Sequence, residues 1–257
     1  MRNLSKITRR MGYIRDQEGI MNRYLAESGA WKTHLEKTRT FIAESFSSSR
    51  VQSVAVLGSG WLLDVPLEKL RPRFEKVFLV DIHHPPQIRK LTSGMKDVEL
   101  IEEDLSGGAV EQVWQLLKRN IKDIPAEQLL EEISLHPPLK EISAEAYISV
   151  NLLNQLDILL CDHIGRKLPY QQDLSPSFRT AIQAFHLEWI TKNPGCLITD
   201  SKEHQIPHSG PPTVKALLYT DLPQGIRRDK WEWDFDSRGS YHPGSRTRME
   251  VQAVEWT

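Results

Sequence analysis

Ser53-Val-Ala-Val-Leu-Gly-Ser-Gly-Trp-Leu-Leu-Asp64 is the stretch from which the fold of this chain can be read. Residues 54–57 form a short, continuous apolar run, which is typical of a strand buried on both faces inside a parallel sheet. Gly58 and Gly60 follow at once, and Asp64 with a proline two positions later resembles the capped start of a helix. The stretch therefore predicts a strand, a glycine turn and a helix, with Asp64 as the helix N-cap.

Strand, glycine turn and helix together have the layout of a nucleotide-binding loop. Glycines let the backbone pass close to a ligand, and the N-terminus of the helix offers unpaired N–H groups. A Gly-x-Gly turn also occurs where a strand packs tightly against a helix, so a structural role stays open.

A second apolar run supplies the acid that such a loop requires. Residues 77–80 end at Asp81, roughly 20 residues past the glycine turn, where a carboxylate can accept hydrogen bonds from ribose hydroxyls. The alternative is a surface carboxylate at a strand end. His83 and His84 follow, and we expect their loop to line the same cleft.

Polar side chains also end the later predicted strands. Asp104 follows one of them, where it could accept a hydrogen bond from the exocyclic amine of a base, and Asn151 follows the next, as a cleft residue, a helix N-cap or both. The last two runs have no helix between them, which predicts antiparallel pairing. The remaining runs that predict strands are residues 98–101, 146–150, 196–199, 213–219 and 249–256.

Two domains follow from this pattern. Residues 1–50 are expected to form a helical extension of two helices separated by Gly29, and residues 51–257 an α/β domain. Residues of about 121–145 read as an insertion, and residues of about 221–248 as a loop rich in aromatic side chains. Loops of such length are usually functional or disordered, and aromatic residues argue against disorder. We expect the aromatic loop either to cover the cleft or to pack on the sheet.

The composition limits the possible partners. Of the 257 residues, 39% are hydrophobic and 26% charged, with a formal net charge of −1, so no global field attracts nucleic acid or an anionic membrane. One basic cluster precedes the first acid, and we expect it to lie on the far side of the helical extension, away from the cleft. Its members are Arg2, Lys6, Arg9, Arg10 and Arg15.

Cysteine usage and hydropathy predict a cytoplasmic protein. Cys161 and Cys196 lie in apolar surroundings, as expected for reduced, buried thiols. No apolar run reaches the ~18 residues needed to span a membrane. The histidines expected on loops beside the cleft have no spacing typical of a metal site, so no metal is predicted. They are His83, His84, His204 and His208.

The whole pattern resembles the class I S-adenosylmethionine-dependent methyltransferases over roughly residues 30–257. Val-Leu-Gly-Ser-Gly at residues 56–60 is similar to the first motif of that family, Asp81 matches its ribose-binding acid and Asp104 its adenine-contacting acid. The resemblance implies a three-layer Rossmann-like α/β sandwich, with a mostly parallel seven-stranded sheet and an antiparallel C-terminal strand pair.

The resemblance also implies a function, namely methyl transfer from S-adenosylmethionine, but it implies no acceptor. The near-zero net charge and the long segments at about 121–145 and 221–248 favour a small molecule over nucleic acid as the acceptor. Asn151 stands where many members contact substrate or the methionine moiety, and it is a candidate catalytic residue together with His83. The cofactor-binding residues implied by the resemblance are Gly58, Ser59, Gly60, Asp81, Ile82, Asp104, Leu105 and Asn151.

Two positions depart from the family pattern and keep other functions open. Val56 stands where many members have an acid, and Leu62 where many have a third glycine, as expected of a non-catalytic interaction module that retains the fold. A nicotinamide-dependent oxidoreductase is the other alternative, although its fingerprint has a third glycine at the position of Leu63.

Overall fold

The computed structural model of the chain describes residues 2–46, 50–119, 131–167 and 174–257. The strands in these residues are β1 (Ser53–Leu57), β2 (Lys76–Asp81), β3 (Val98–Glu102), β4 (Ala146–Val150), β5 (Gly195–Pro207), β6 (Thr213–Ala216), β7 (Arg227–Asp236) and β8 (Ser245–Trp256). The α-helices are α1 (Arg2–Met11), α2 (Tyr13–Glu44), α3 (Leu67–Leu70), α4 (Pro86–Thr92), α5 (Ala109–Leu116), α6 (Ile158–Lys167) and α7 (Leu174–Ile190). A 3₁₀ turn spans Leu153–Gln155.

All these strands belong to one sheet with the order β3-β2-β1-β4-β5-β8-β7, and β6 pairs with β5 outside this path. Strands β1 to β5 pair in parallel, whereas β8 is antiparallel to both of its neighbours. The predicted Rossmann-like architecture is confirmed. The described part of the sheet has eight strands rather than seven, because β7 forms inside the segment predicted as an aromatic loop.

The two faces of the sheet carry separate cores, which gives the three layers. Val54 and Val56 of β1 pack with side chains of α2, α3 and α4, and the alternate residues Ala55 and Leu57 pack with α1, α5, α6 and α7. Alternate residues of a strand point to opposite faces, so an apolar run is required where both faces are covered. Val56 is fully buried, in place of the acid that the family pattern has there.

The N-terminal helices differ from the prediction. The break falls at Gly12, which has a φ of 92°, and not at Gly29. Gly29 lies inside α2, where the only non-helical dihedrals are those of the nearby Glu27, at a kink. Trp31 and Ile42 of α2 are buried in the same core as β1 and β7. The helical extension thus contributes to both helical layers of the fold, with α2 on one face of the sheet and α1 on the other.

The prediction was also wrong about the late loops. The segment after the predicted strand at residues 196–199, where His204 was expected on a loop, instead continues β5 as far as Pro207, paired with β8. The predicted aromatic loop is largely the hairpin of β7 and β8. Trp231, Trp233 and Phe235 alternate with charged residues along β7 and are buried against α2.

Two further predictions concern Asp64 as a helix cap and the insertion of about residues 121–145. Helix α3 has Pro66 at its N-cap and no side-chain capping bond, so Asp64 is not a helix cap. Its carboxylate instead faces Asn151, as described below. Much of the predicted insertion, residues 120–130, lies outside the described residues.

Candidate functional site

A cleft of about 360 Å³ lies at the carboxyl edge of the parallel strands. It is lined by residues that directly follow β1, β2, β3 and β4, and by the N-terminal part of α2. The strand order reverses between β1 and β4, and ligands of open α/β sheets bind at such a switch point. The topology therefore brings the predicted site residues together.

The glycine turn needs its first glycine. Gly58 has a φ of 82°, and a Cβ atom there would lie 2.7 Å from the carbonyl oxygen of Val150 and 2.9 Å from Cβ of Leu152. The amides of Gly58 and Ser59 donate to the carbonyl oxygen of Val80 at 2.9 and 3.2 Å. The turn is thereby held between β2 and the end of β4, with its backbone at the wall of the cleft.

The acid of β2 lies directly beside this turn. Gly60 donates its N–H to Oδ2 of Asp81 at 2.8 Å, and Gln17 of α2 donates its side-chain amide to Oδ1 at 2.7 Å. Burial raises the pKa of Asp81 to about 6, although the bond from Gly60 opposes this shift. Oε1 of Gln17 is buried without a hydrogen-bond partner in the described chain.

The chain keeps the conformation of the missing third glycine. Leu62 has a φ of 58° and is only 8% exposed, so a bulky side chain occupies a left-handed position that favours glycine. The Leu62 N–H donates to the carbonyl oxygen of Ser59 at 2.8 Å, which closes the turn. The loop therefore has, at Leu62, the backbone conformation that a glycine would favour.

Asp104 is engaged by its own chain. Its Oδ1 accepts bonds from the backbone and hydroxyl of Ser106, and its Oδ2 accepts the N–H of Val110 at 3.0 Å. These bonds fix the N-terminus of α5 and leave Asp104 at the cleft wall, with Ile82 and Leu105 beside it in the lining. Burial raises its pKa, with the bonds from Ser106 and Val110 opposing the shift.

Asn151 is a cleft residue, and no helix N-cap forms there. It adopts a left-handed φ of 47°, which asparagine tolerates, and donates its side-chain amide to Oδ2 of Asp64 at 2.6 Å. Its own Oδ1 is buried without a partner in the described residues. The pair joins the loops after β1 and β4 across the switch point.

His34 of α2 lies next to Asn151. Trp231 donates its indole N–H to Nδ1 of His34 at 3.1 Å, and Nε2 of the ring lies 3.4 Å from the side-chain amide nitrogen of Asn151. Burial lowers the pKa of His34 to about 3 and keeps the ring neutral. The ring also stacks on Trp233, with centroids 3.9 Å apart.

Sequence reasoning missed Asp200 as a site residue. It follows the parallel part of β5, is 4% exposed and lines the cleft, with Oδ1 lacking a partner in the described chain. Burial raises its pKa to about 7; the hydrogen bond from Asn154 opposes the shift, and nearby Asp64 and Glu203 add to it. The sequence did contain a signal, since Asp200 directly follows the apolar run of residues 196–199 in the same way as Asp81 follows residues 77–80.

Aromatic rings form part of the cleft wall. Trp233, Phe235 and Tyr241 line the cleft, and the rings of Trp233 and Phe235 meet edge to face at 5.0 Å between centroids. Trp31 donates its indole N–H to the carbonyl oxygen of Phe235 at 3.0 Å and so fixes β7 to α2. The segment was expected to cover the cleft as a loop or to pack on the sheet; it is instead largely a strand of the sheet, whose aromatic side chains pack on α2 and also line the cleft.

The histidines predicted on loops beside the cleft lie elsewhere. His84 is fully buried beneath the glycine turn, with Nε2 3.2 Å from Oγ of Ser59, and His83 lies 3.1 Å from Glu102. His204 lies in β5 beside Glu250 and His208 directly follows that strand. None of the four is among the described residues that line the cleft. Among the described residues, no three side chains of the metal-ligating types are grouped so that they could hold a metal ion.

The basic residues are closer to the cleft than predicted. Arg15 and Arg23 both line it, so the prediction that the N-terminal basic cluster lies away from the cleft is wrong for Arg15. The guanidinium of Arg23 lies over the rings of Phe235 and Tyr241, at 4.6 and 4.9 Å from their centroids. Arg23 also faces Asp16 and Asp236, which offset its charge.

Comparisons with known proteins find only distant structural likenesses. No protein-family profile matches the chain, and no curated protein is similar to it at a significant level. The chain is similar to the solved methyltransferase domain of bacterial CtHen1-CN, with 13% identity and a TM-score of 0.36 over 85% of this chain and 97% of that one. It is also similar to the DhpI–SAH complex, with 11% identity and a TM-score of 0.33 over 98% and 95% of the two chains.

The Rossmann-like fold implied by the sequence is confirmed by the order and pairing of the strands. Likenesses this distant concern the general arrangement of strands and helices, and the site stands on its own geometry. In the described residues, no helix is both long and apolar enough to cross a membrane.

Proposed function

We propose that the chain binds S-adenosylmethionine in the cleft and is a methyltransferase for a small-molecule acceptor. One observation carries the proposal: the N–H of Gly60, in the turn after β1, donates to Asp81 at the end of β2 at 2.8 Å, beside the topological switch point between β1 and β4. This bond places a glycine backbone and a buried carboxylate side by side, which is the arrangement that holds a nucleoside by its ribose.

The residues at the cleft fit such a ligand. Gly58 and Gly60 provide a wall without side chains, and Asp81 provides the acceptor for ribose hydroxyls. Ile82 and Leu105 offer apolar surface beside Asp104 for a base. The sulfonium group of S-adenosylmethionine supplies the electrophilic methyl group, whereas the chain contributes positioning.

Asn151 is the proposed positioning residue at the methyl-transfer end. Its amide is fixed by Asp64, and its unpartnered Oδ1 belongs to a residue that lines the cleft. An Asn151→Ala variant is therefore expected to lose turnover while its affinity for the cofactor changes little.

The two alternatives make different predictions. A nicotinamide-dependent oxidoreductase would bind NAD(H), but the antiparallel β8 between β5 and β7 departs from the parallel dinucleotide-binding sheet. A non-catalytic module would bind partners without turnover, and the substitutions Val56 and Leu62 are what favour it.

Ligand-induced stabilisation separates these functions, because a ligand that binds only the folded state raises the melting temperature by mass action. We expect S-adenosylmethionine and S-adenosylhomocysteine to raise it and NAD(H) to leave it unchanged. Labelled methyl groups should then appear in the small-molecule fraction of a cell extract. Label confined to RNA would overturn the acceptor class, and cofactor binding without any label would favour the non-catalytic module.

A further inference from the structure

The cleft contains buried polar atoms that the described chain leaves without partners. Buried polar groups are nearly always hydrogen-bonded, so a concentration of such atoms in one cleft indicates where a ligand is held. The cleft-lining atoms without a partner are Tyr13 Oη, Gln17 Oε1, Arg23 Nε, Asn151 Oδ1, Asp200 Oδ1 and Trp233 Nε1. Gln17 lies beside Asp81, whereas Asn151 directly follows β4 and Asp200 follows the parallel part of β5.

The end that contains Asp200 is an acidic pocket with an aromatic wall. Asp200 and Asp64 both line the cleft, and each is close enough to raise the other's electrostatic energy. Glu203 adds a third carboxylate nearby, with His242 at 2.9 Å as its partner. Trp233 supplies the adjacent aromatic surface.

The positively charged groups around Asp200 are engaged elsewhere and do not neutralise its carboxylate. Arg23 lies over aromatic rings and faces Asp16 and Asp236. Lys202 and His204, on the same strand as Asp200, both pair with Glu250. His34, which lies beneath Asn151, is neutral because burial lowers its pKa to about 3.

We propose that this pocket, defined by Asp64, Asn151, Asn154, Asp200 and Trp233, binds the ammonium group of a small amine, and that the unpartnered Oδ1 of Asp200 is its principal contact. The inference rests on the proposed function, since it names the chemical class of the acceptor. A buried carboxylate is stabilised most by a donor that also carries positive charge, because such hydrogen bonds are about twice as strong as neutral ones. Aromatic faces nearby favour a cation over an anion as well.

The competing acceptors fit less well. A carboxylate or phosphate group would face Asp200 and Asp64 at close range, and like charges in a buried site repel strongly. A neutral hydroxyl group could donate to Asp200 but would do little for its ionised form, whereas an ammonium group favours ionisation of a carboxyl group whose pKa burial has raised to about 7. The three classes of acceptor therefore differ in the charge that they place beside Oδ1 of Asp200: positive, neutral or negative.

Probes that share one carbon skeleton and differ in charge test this directly. The protein saturated with S-adenosylhomocysteine is titrated with benzylamine, benzyl alcohol and benzoate, and then with n-butylamine, n-butanol and butyrate, with binding followed by ligand-observed NMR. We expect at least one of the two amines to bind at least tenfold more tightly than its alcohol, and both carboxylates to show no binding.

The variant Asp200→Asn keeps the shape of the side chain and removes its charge. We expect it to weaken amine binding at least tenfold while the affinity for S-adenosylhomocysteine stays within twofold. Asp97→Asn is the matched control, because Asp97 pairs with Arg71 at 2.6 Å just before β3, at the opposite edge of the sheet. It should leave amine binding unchanged, and the melting temperature of each variant reports whether it is folded.

The outcomes distinguish the inference from the function on which it rests. If S-adenosylhomocysteine fails to bind the unaltered protein, the proposed function is wrong and the inference falls with it. If it binds but neither amine exceeds its alcohol or carboxylate, only the inference is wrong. Amine binding that is equally strong in Asp200→Asn would overturn the role of Asp200.

Discussion

The side-chain amide of Gln17 donates to Oδ1 of Asp81 at 2.7 Å, across 64 positions of the chain. Helix α2 thereby contacts the acid proposed to hold the ribose, and Trp61 strengthens the contact by donating its indole N–H to the carbonyl oxygen of Gln17 at 2.8 Å. Helix α2 is thus part of the cleft wall.

Replacing Gln17 by leucine is expected to weaken binding of S-adenosylhomocysteine about fivefold. The substitution removes the donor that orients Asp81, and also the unpartnered Oε1 available to a ribose hydroxyl; one such bond contributes about 1 kcal/mol. Isothermal titration calorimetry provides the measurement. Gln17→Glu should weaken binding further, because a second carboxylate would lie beside the first. Tighter binding by Gln17→Leu would instead mean that Gln17 occupies the place of the ribose.

Asp81 gives a second prediction, which concerns pH. Asp81→Asn should weaken binding of S-adenosylhomocysteine roughly 10- to 100-fold at pH 7.5, since it removes a charged hydrogen-bond acceptor. Burial raises the pKa of Asp81 to about 6 in the folded protein, so the carboxylate that accepts ribose hydroxyls is present above this pH and is lost as the pH falls through it. The affinity of the unaltered protein should therefore decline below pH 6.

The variant supplies the control for that pH profile. In Asp81→Asn the residual affinity should not show this decline between pH 7 and pH 5, because the titrating carboxyl group is gone. A variant that retains the full decline would show that another group causes it.

A third prediction concerns the glycine turn. Gly58→Ala forces a left-handed φ of 82° on alanine and places Cβ 2.7 Å from the Val150 carbonyl oxygen, so it should lower the free energy of unfolding by at least about 2 kcal/mol. Gly29→Ala is the matched control. Its added Cβ has nothing within 4 Å inside α2, and it should stabilise by up to about 1 kcal/mol. Urea denaturation measures both, and equal effects would contradict the steric role of Gly58.

The sequence predicted the parallel half of the fold well because its signals are local. A continuous apolar run such as residues 54–57, followed by glycines, specifies a buried strand and its turn without knowledge of any partner. Asp81 could be placed for the same reason, since it ends such a run. Asp200 ends one too, and it was passed over only because no family pattern drew attention to it.

The contacts that complete the site could not be predicted in this way. The bond between His34 and Trp231 joins residues 197 positions apart, and no periodicity in the sequence specifies it. Strand β7, by contrast, has a local signal in the sequence. Trp231, Trp233 and Phe235 alternate with charged residues, which is the pattern of a strand. The nearby glycines and charges were given more weight than the alternation, and the aromatic wall was therefore read as a loop.

The last prediction concerns stability in acid and rests on His186 of α7. This ring is fully buried, with Nε2 3.1 Å from Oγ of Ser149, and burial lowers its pKa to about 4. Between the ordinary histidine pKa of about 6.5 and this value, the unfolded chain binds a proton that the folded chain does not, so falling pH removes stability by up to about 1.4 kcal/mol per pH unit. His186→Gln should lack this contribution, and its free energy of unfolding should therefore decline less steeply between pH 6.5 and pH 4.5 in urea titrations. The buried acids are the same in both proteins and cancel in the comparison. The exposed His208→Gln controls for the loss of an imidazole, and a slope in His186→Gln as steep as that of the unaltered protein would contradict a neutral ring in the core.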